Sequence, residues 1–307
     1  MRAHGVSIFQ GQGAAMSTII NIHAGKRISL AEPIALDGIG LHSGMRSAVK
    51  VMPGRSGLRV VDGDAAIALR DVLVARTPRC TRLQLPSGRR VDMVEHLFAA
   101  LRIAGITDAD MWFDGDEVPV LDGSASVWLD AFSRAAVRRL EGAFECLVVA
   151  KPSSFEVGSS RFSAVPGQFS LDCTIDFPNA HIGRQSIRVD DKTLVSLAPA
   201  RTFVLEQEIA MLKANNLALG GSLDNAVVIG EAGPLNPGGF RFANECALHK
   251  ALDFVGDLMV VGVPIIGRFE VFALGHSANN AFVEELVTSG TLRRVSILEG
   301  NPVSLAA

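Results

Sequence analysis

Apolar residues recur along this chain at two spacings. Between residues 28 and 60 they alternate with polar ones, at Ile28 and Leu30 and again through Ala48-Val49-Lys50-Val51, with a glycine-rich interruption at 38–44. Residues 58–61 and 110–113 have the same character, and such alternation predicts half-buried strands. Residues 93–104 instead place Val94, Leu97, Phe98, Leu101, Ile103 and Ala104 at helical spacing, and 126–138 reads as a second helix. The order then begins again. Strands are predicted at 146–150, 160–164, 169–175, 226–229 and 269–274, and helices at 206–214, 247–259 and 280–289. Strands with one or two helices behind them, twice over, predict an α+β class. The expected architecture is two layered α+β domains, each a mainly antiparallel sheet backed by helices, with any active site in the cleft between them. The division is expected near residue 145, giving an N-terminal domain over 17–144 and a C-terminal domain over 145–307.

Composition narrows the class. With 307 residues, 48% hydrophobic and 20% charged, the chain has the makings of a well-packed globular protein rather than a disordered one. Its 29 basic and 32 acidic residues give a net charge of −3, and no basic run stands out, so nucleic acid is not an expected partner. The longest apolar stretches, such as 258–266, are broken by glycine and proline and fall short of the roughly 20 residues a membrane span needs. Residues 1–16 lack the apolar core of a secretory signal, and Met16 is an alternative start to Met1. Cys80, Cys146, Cys173 and Cys246 form no CxxC pair, so they read as ordinary thiols in a reducing cytoplasm.

The candidate chemistry lies in two distant stretches. In the predicted helix around residue 250, His249, Asp253 and Asp257 are spaced four apart and share one face. An imidazole and a carboxylate so placed can hold one divalent ion, and His96 would supply a third ligand. Three protein ligands with a fourth position open to water are the pattern of catalytic rather than structural zinc. Glu95, beside His96, is then a general base for that water. Any one of these pairs could equally be a surface or capping arrangement. The apolar setting is what favours a metal, because unpaired charge buried there costs several kcal/mol. His276, flanked by glycine after a predicted strand, is placed for catalysis or in an ordinary turn. Near Asp257 it would be held protonated and oriented. Thr202 could donate to an oxyanion or simply cap a turn. The segments 118–125 and 220–227 read as turns. Gly38, Gly40 and Gly44 make no dinucleotide fingerprint, and neither a GxSxG elbow nor a Walker loop is present. His4, His23 and His181 read as surface residues.

Seven segments in order carry a specific resemblance: GIGLHSG (38–44), VEHLFAAL (94–101), VPVLDGSA (118–125), ARTF (200–203), GGSLDNAVV (220–228), HKALDFVGDL (249–258) and GHSANN (275–280). Together they resemble the UDP-3-O-acyl-N-acetylglucosamine deacetylases, zinc enzymes of lipid A synthesis, over about residues 28–290. The resemblance implies that His96, His249 and Asp253 hold Zn2+ and that Glu95 is the general base. It implies that His276, supported by Asp257, stabilises the oxyanion and protonates the leaving amine, and that Thr202 donates to the oxyanion. Lys250 and Phe203 would face the substrate, and Phe177 would stack near the uracil. An insert over roughly 203–218, with Ile209, Leu212 and Leu217, would form an apolar passage for the acyl chain. The implied partner is a UDP-sugar carrying a fatty acyl chain, met by a cytoplasmic monomer near the inner membrane without insertion.

Departures from that pattern are confined to its margins. Val204 and Leu205 stand where a glycine and an aromatic are common, Leu248 where an arginine is common, and Asp92-Met93 where small hydroxyl residues are usual. They bear on acyl-chain preference and affinity rather than on reaction type. Two other readings follow: a paralogue acting on a different N-acyl sugar, and a non-catalytic protein keeping the fold. The ligand set also suits iron.

Overall fold

The computed structural model describes residues 25–298 and 301–304. The choice between Met1 and Met16, His4, His23 and the outermost ends of the two expected domains lie outside the described residues.

Two five-stranded sheets form the outer layers. The first runs in spatial order Ile34–Ile39, Arg46–Pro53, Ala109–Asp114, Leu58–Asp62, Ala65–Ala68. All its neighbours are antiparallel except Leu58–Asp62 with Ala109–Asp114. The second runs Ser153–Val157, Ser160–Val165, Arg268–Phe272, Ser170–Asp176, Arg184–Asp190, again with one parallel pair, Ser170–Asp176 with Arg268–Phe272. Each sheet has one buried face. Val49, Val51, Val60, Met111 and Phe113 point inward from the first, and Phe162, Leu171, Cys173, Val189 and Val271 from the second. Polar residues occupy the alternate positions, as expected for sheets wet on one side.

Among the described residues there are five α-helices: α1 (Glu95–Ala104), α2 (Ser126–Ala135), α3 (Glu206–Ala214), α4 (Glu245–Leu258) and α5 (His276–Thr288). All pack on the inner side of the sheets except α3, which is largely exposed. In each half, four strands are followed by a helix, the fifth strand, and a second helix. The two halves therefore share one topology, and α1 in the first stands where α4 stands in the second. Each half also carries a small sheet between its fourth strand and first helix. The first comprises Leu73–Ala75, Arg82–Gln84 and Arg90–Val91; the second comprises Phe203–Leu205, Val227–Gly230 and Gly233–Pro234, with α3 inside it.

Two boundaries differ from expectation. The helix predicted over 126–138 ends at Ala135. Ala136 takes a left-handed φ of 54°, and Val137–Leu140 then pairs antiparallel with Arg27–Leu30. The last helix begins at His276, four residues before the expected start, so His276 opens a helix instead of ending a strand. All four cysteines are buried and free. No helix among the described residues is long and apolar enough to cross a membrane.

The centre of the molecule is the seam between α1 and α4. Every residue of α1 is buried, and of α4 all but Lys250. Phe254 of α4 and Phe282 of α5 stack on Phe162 of the second sheet, at 6.2 and 4.8 Å between ring centroids. The approach of α1 to α4 is set by Gly256, where an added Cβ would lie 2.0 Å from the Glu95 carbonyl oxygen. That contact is with backbone and cannot be relieved by a rotamer change. Gly256→Ala is therefore expected to push the helices apart and destabilise the fold by about 1–3 kcal/mol, the usual range for overpacking. A lowered thermal midpoint, with the fold otherwise retained by circular dichroism, checks this.

Candidate active site

Three ligating atoms converge at the seam. His249 and Asp253 lie one turn apart on α4, and His96 enters from the first turn of α1. The Nε2 atoms of His96 and His249 stand 3.4 and 3.3 Å from Asp253 Oδ1. Two donors each about 2.0–2.2 Å from a tetrahedral ion lie about 3.3–3.5 Å apart, so the spacing suits a shared cation. Asp253 Oδ1 is buried without a hydrogen-bond partner. A buried carboxylate oxygen aimed between two imidazoles, with no hydrogen bond of its own, has surroundings that suit a positive ion. His249 Nδ1–H donates to the Ala200 carbonyl at 3.1 Å, which leaves Nε2 its lone pair for a metal. Burial pushes the His249 pKa down to about 3, so the ring is neutral, as a ligand must be. For Asp253 burial favours the neutral acid, but its imidazole and ammonium neighbours, Lys250 and His276 among them, outweigh it and hold the pKa well below the usual range. Among the described residues these three form the one cluster of metal-ligating side chains.

Two titratable groups flank that cluster. Glu95 is 1% exposed. Its Oε2 accepts the Thr81 backbone N–H at 2.9 Å, and its Oε1 lies 3.6 Å from His276 Nε2. Burial raises the Glu95 pKa to about 7, against the opposing charges of His276 and His96. His276 Nδ1–H donates to Asp257 Oδ2 at 3.0 Å, and its Nε2 also lies 3.6 Å from Asp253 Oδ2. Burial disfavours the imidazolium, yet Asp257, Glu95 and Asp253 overcome it and lift the pKa to about 9. The site therefore places a carboxyl that titrates near neutrality opposite an imidazole that stays protonated, the separation that divides base from acid.

A cavity of about 400 Å³ opens over these groups. Thr202 and Phe203 line it beside Lys250, whose Nζ bonds Asp253 Oδ2 at 3.0 Å. Burial works against the Lys250 charge, but Asp253 raises its pKa overall. Phe177 stands one ring back, edge-to-face on Phe203 at 5.6 Å, rather than on the cavity wall. Farther along, Val204, Ile209, Leu212, Val228 and Leu235 give an apolar wall; Ala218, not Leu217, completes it. Thr202 is held by the two segments read as turns. Its N–H donates to the Gly123 carbonyl at 2.8 Å, and its carbonyl accepts the Val227 N–H at 2.8 Å. Gly123 has φ of 81°, and a Cβ there would meet the Asn225 carbonyl oxygen at 2.1 Å, so the two segments pack backbone to backbone. His181 is exposed, as expected.

Sequence reasoning missed three polar residues behind the site. Thr81 donates its hydroxyl to Asp257 Oδ1, Asn280 Nδ2 donates to Thr81 Oγ1 at 3.0 Å, and Asn279 Nδ2 donates to Asp257 Oδ2 at 2.9 Å. All three are buried. The one signal available was the polar pair Asn279-Asn280 within four residues of His276.

The model of the UDP-3-O-acyl N-acetylglycosamine deacetylase family matches residues 27–288. A UDP-3-O-acyl-N-acetylglucosamine deacetylase of Syntrophotalea carbinolica is 37% identical over 272 residues, covering 85% of this chain and 87% of that protein. The enzymes of the same name from Shewanella loihica and Nitratidesulfovibrio vulgaris are 37% and 35% identical, over 84% and 90% of this chain and 89% and 94% of their own. With a match over nearly the whole chain and a site built from the segments that carry it, the chain belongs to the UDP-3-O-acyl N-acetylglycosamine deacetylase family.

Proposed function

We propose that this protein hydrolyses the acetamide of UDP-3-O-[(3R)-3-hydroxyacyl]-N-acetylglucosamine, releasing acetate and UDP-3-O-acyl-glucosamine in the committed step of lipid A synthesis. The observation that carries this is the unpartnered Asp253 Oδ1 between two imidazoles, with Glu95 and His276 on either side and an apolar cavity above. His96, His249 and Asp253 would hold a divalent cation, zinc being the natural choice for two imidazoles and a carboxylate with one open position. When bound, such a cation makes water acidic enough to ionise near neutral pH and polarises a carbonyl oxygen.

The chain's own residues supply the rest. Glu95 takes the proton of the attacking water. The Thr202 hydroxyl, on the cavity wall, donates to the oxygen on which negative charge develops. His276 contributes positive charge there and delivers a proton from Nε2 to the departing sugar nitrogen as the carbon–nitrogen bond breaks. Asp257, on the opposite ring nitrogen, keeps the imidazole turned toward that task. Lys250 and Phe203, with Phe177 packed behind Phe203, form the side that would take the uridine and sugar, and the wall from Val204 to Leu235 would take the acyl chain. Such work suits a cytoplasmic protein acting near the inner membrane without insertion in it.

Acetate release measured with metal content on the same sample tests the reading. Turnover is expected to follow bound zinc, to vanish with a chelator and to return with zinc; metal-loaded protein inactive on this substrate would overturn it. Glu95→Gln is expected to lower kcat about 100- to 10,000-fold while metal content stays at the wild-type value. His249→Ala is expected to lose the metal itself, read by elemental analysis after dialysis.

The pH profile follows from the two flanking groups. Glu95 must be deprotonated, so kcat/KM rises as pH passes its pKa, raised by burial to about 7. His276 must be protonated, so kcat/KM falls as pH passes its pKa, raised to about 9 against burial by its carboxylate neighbours. A bound cation draws both limbs downward, and the limbs belong to the coupled pair rather than to isolated residues. The expected result is a bell in wild type, with the alkaline limb lost in His276→Ala at its lower residual rate.

A further inference from the structure

We propose that Thr81 is a positioning residue for this reaction, a residue of the N-terminal half that contacts both the base and the carboxylate that orients the acid. The inference rests on the deacetylase reading above. Thr81 lies just before the strand Arg82–Gln84, in the small sheet of the first half, and is fully buried. Its backbone N–H holds Glu95 Oε2, and its hydroxyl reaches across to Asp257 of the second half. The direction of that hydroxyl is settled by its neighbours. Asn280 Nδ2 has only protons to give, so Thr81 Oγ1 accepts from it and must spend its own proton on Asp257 Oδ1. Asp257 Oδ2 meanwhile accepts from Asn279 and from His276 Nδ1.

The result is one directed chain, Asn280 to Thr81 to Asp257, with His276 donating into its far end. Because both Asp257 oxygens are committed as acceptors, His276 must present a proton at Nδ1 and leave Nε2 for the reacting nitrogen. Without the Thr81 hydroxyl, Asp257 Oδ1 loses its donor in a dry setting and the carboxylate is free to turn. The imidazole then loses its fixed plane and tautomer. Glu95, held by backbone, loses nothing directly. The expected defect is therefore in the chemical step, not in substrate or metal binding.

Three variants of the full-length, zinc-loaded protein test this. Thr81→Val keeps the shape and removes the hydroxyl; Thr81→Ser keeps the hydroxyl; Thr81→Ala differs from Thr81→Ser by one oxygen. With UDP-3-O-(3-hydroxyacyl)-N-acetylglucosamine, Thr81→Val and Thr81→Ala are expected to lose about 10- to 100-fold in kcat, the usual cost of removing a group that orients a site residue. KM and bound zinc should be unchanged, and Thr81→Ser should stay within about threefold of wild type. Equal rates for the Ser and Ala variants, or a loss that tracks zinc or KM, would overturn the assignment. Should Thr81→Val not fold, the Ser and Ala pair decides alone. A second readout needs no turnover: the His276 Nδ1–H resonance of 15N-histidine protein should be slow to exchange in wild type and Thr81→Ser, and fast in Thr81→Ala. An unchanged resonance would overturn the proposal. Inactive wild type with the resonance behaving as expected would instead count against the substrate assignment alone.

Discussion

Carboxylates buried between two helices are what the rest of this structure must accommodate. Glu95, Asp253 and Asp257 are each no more than 2% exposed, and all three lie in or against the α1–α4 seam. An unpaired charge in such a place costs several kcal/mol. Asp257 meets that cost with three hydrogen bonds, from Thr81, His276 and Asn279. Glu95 takes one from backbone and titrates near neutrality. Asp253 has Lys250 on one oxygen and nothing on the other. Two residues on the same helix, one turn apart, thus differ in what completes them. For Asp257 the protein is sufficient; Asp253 is left with one oxygen whose surroundings suit a cation.

The repeated topology explains why this seam exists. In each half the first helix crosses to the centre, so two equivalent helices meet there with Gly256 allowing contact as close as backbone. Equivalence of position has not meant equivalence of residues. On the proposed reading α1 supplies a base and one ligand, and α4 two ligands and the carboxylate hydrogen-bonded to His276. The small sheets are inserted at equivalent points as well. The first delivers Thr81 behind the site, and the second delivers Thr202 in front of it, together with the apolar wall carried by α3. Rigid helices hold the reacting groups, while the more exposed insert shapes what reaches them, a division suited to fixed chemistry on a long substrate.

What could be read from residue order was what depends on local period. His249, Asp253 and Asp257 share a face because of helical spacing alone, and Glu95 is adjacent to His96 in sequence. The restart of strands after residue 145 was visible too. The identity of the two halves was not, because it rests on strand order, and several strands that define it are only two to four residues long. Nor could Thr81 be found, since its partners Asp257 and Asn280 lie 176 and 199 positions away. The helix end misplaced beyond Ala135 has a distant cause as well. Ala136 adopts a conformation that alanine rarely takes, imposed by pairing of Val137–Leu140 with a distant strand.

The two imidazoles in the seam show most directly how surroundings assign roles. His249 and His276 are both nearly inaccessible, at 1% and 5% exposure, so desolvation opposes the cation in each. Burial alone would make both neutral. They separate because of their charged neighbours, and one visible part of that is what meets Nδ1: a carbonyl oxygen for His249, a carboxylate for His276. A carbonyl fixes the tautomer without offsetting the cost of charge, and the ring falls to a pKa of about 3, a neutral ligand. A carboxylate fixes the same tautomer and compensates the charge, and with Glu95 and Asp253 nearby the ring rises to about 9, a proton donor. The same side chain with the same Nδ1 orientation thus differs through its charged neighbours: one carboxylate opposed by Lys250 around His249, three carboxylates around His276. Of those three, Asp257 is the one Thr81 holds, so the proton inventory of the site is decided partly behind it and not only at the surface the substrate meets.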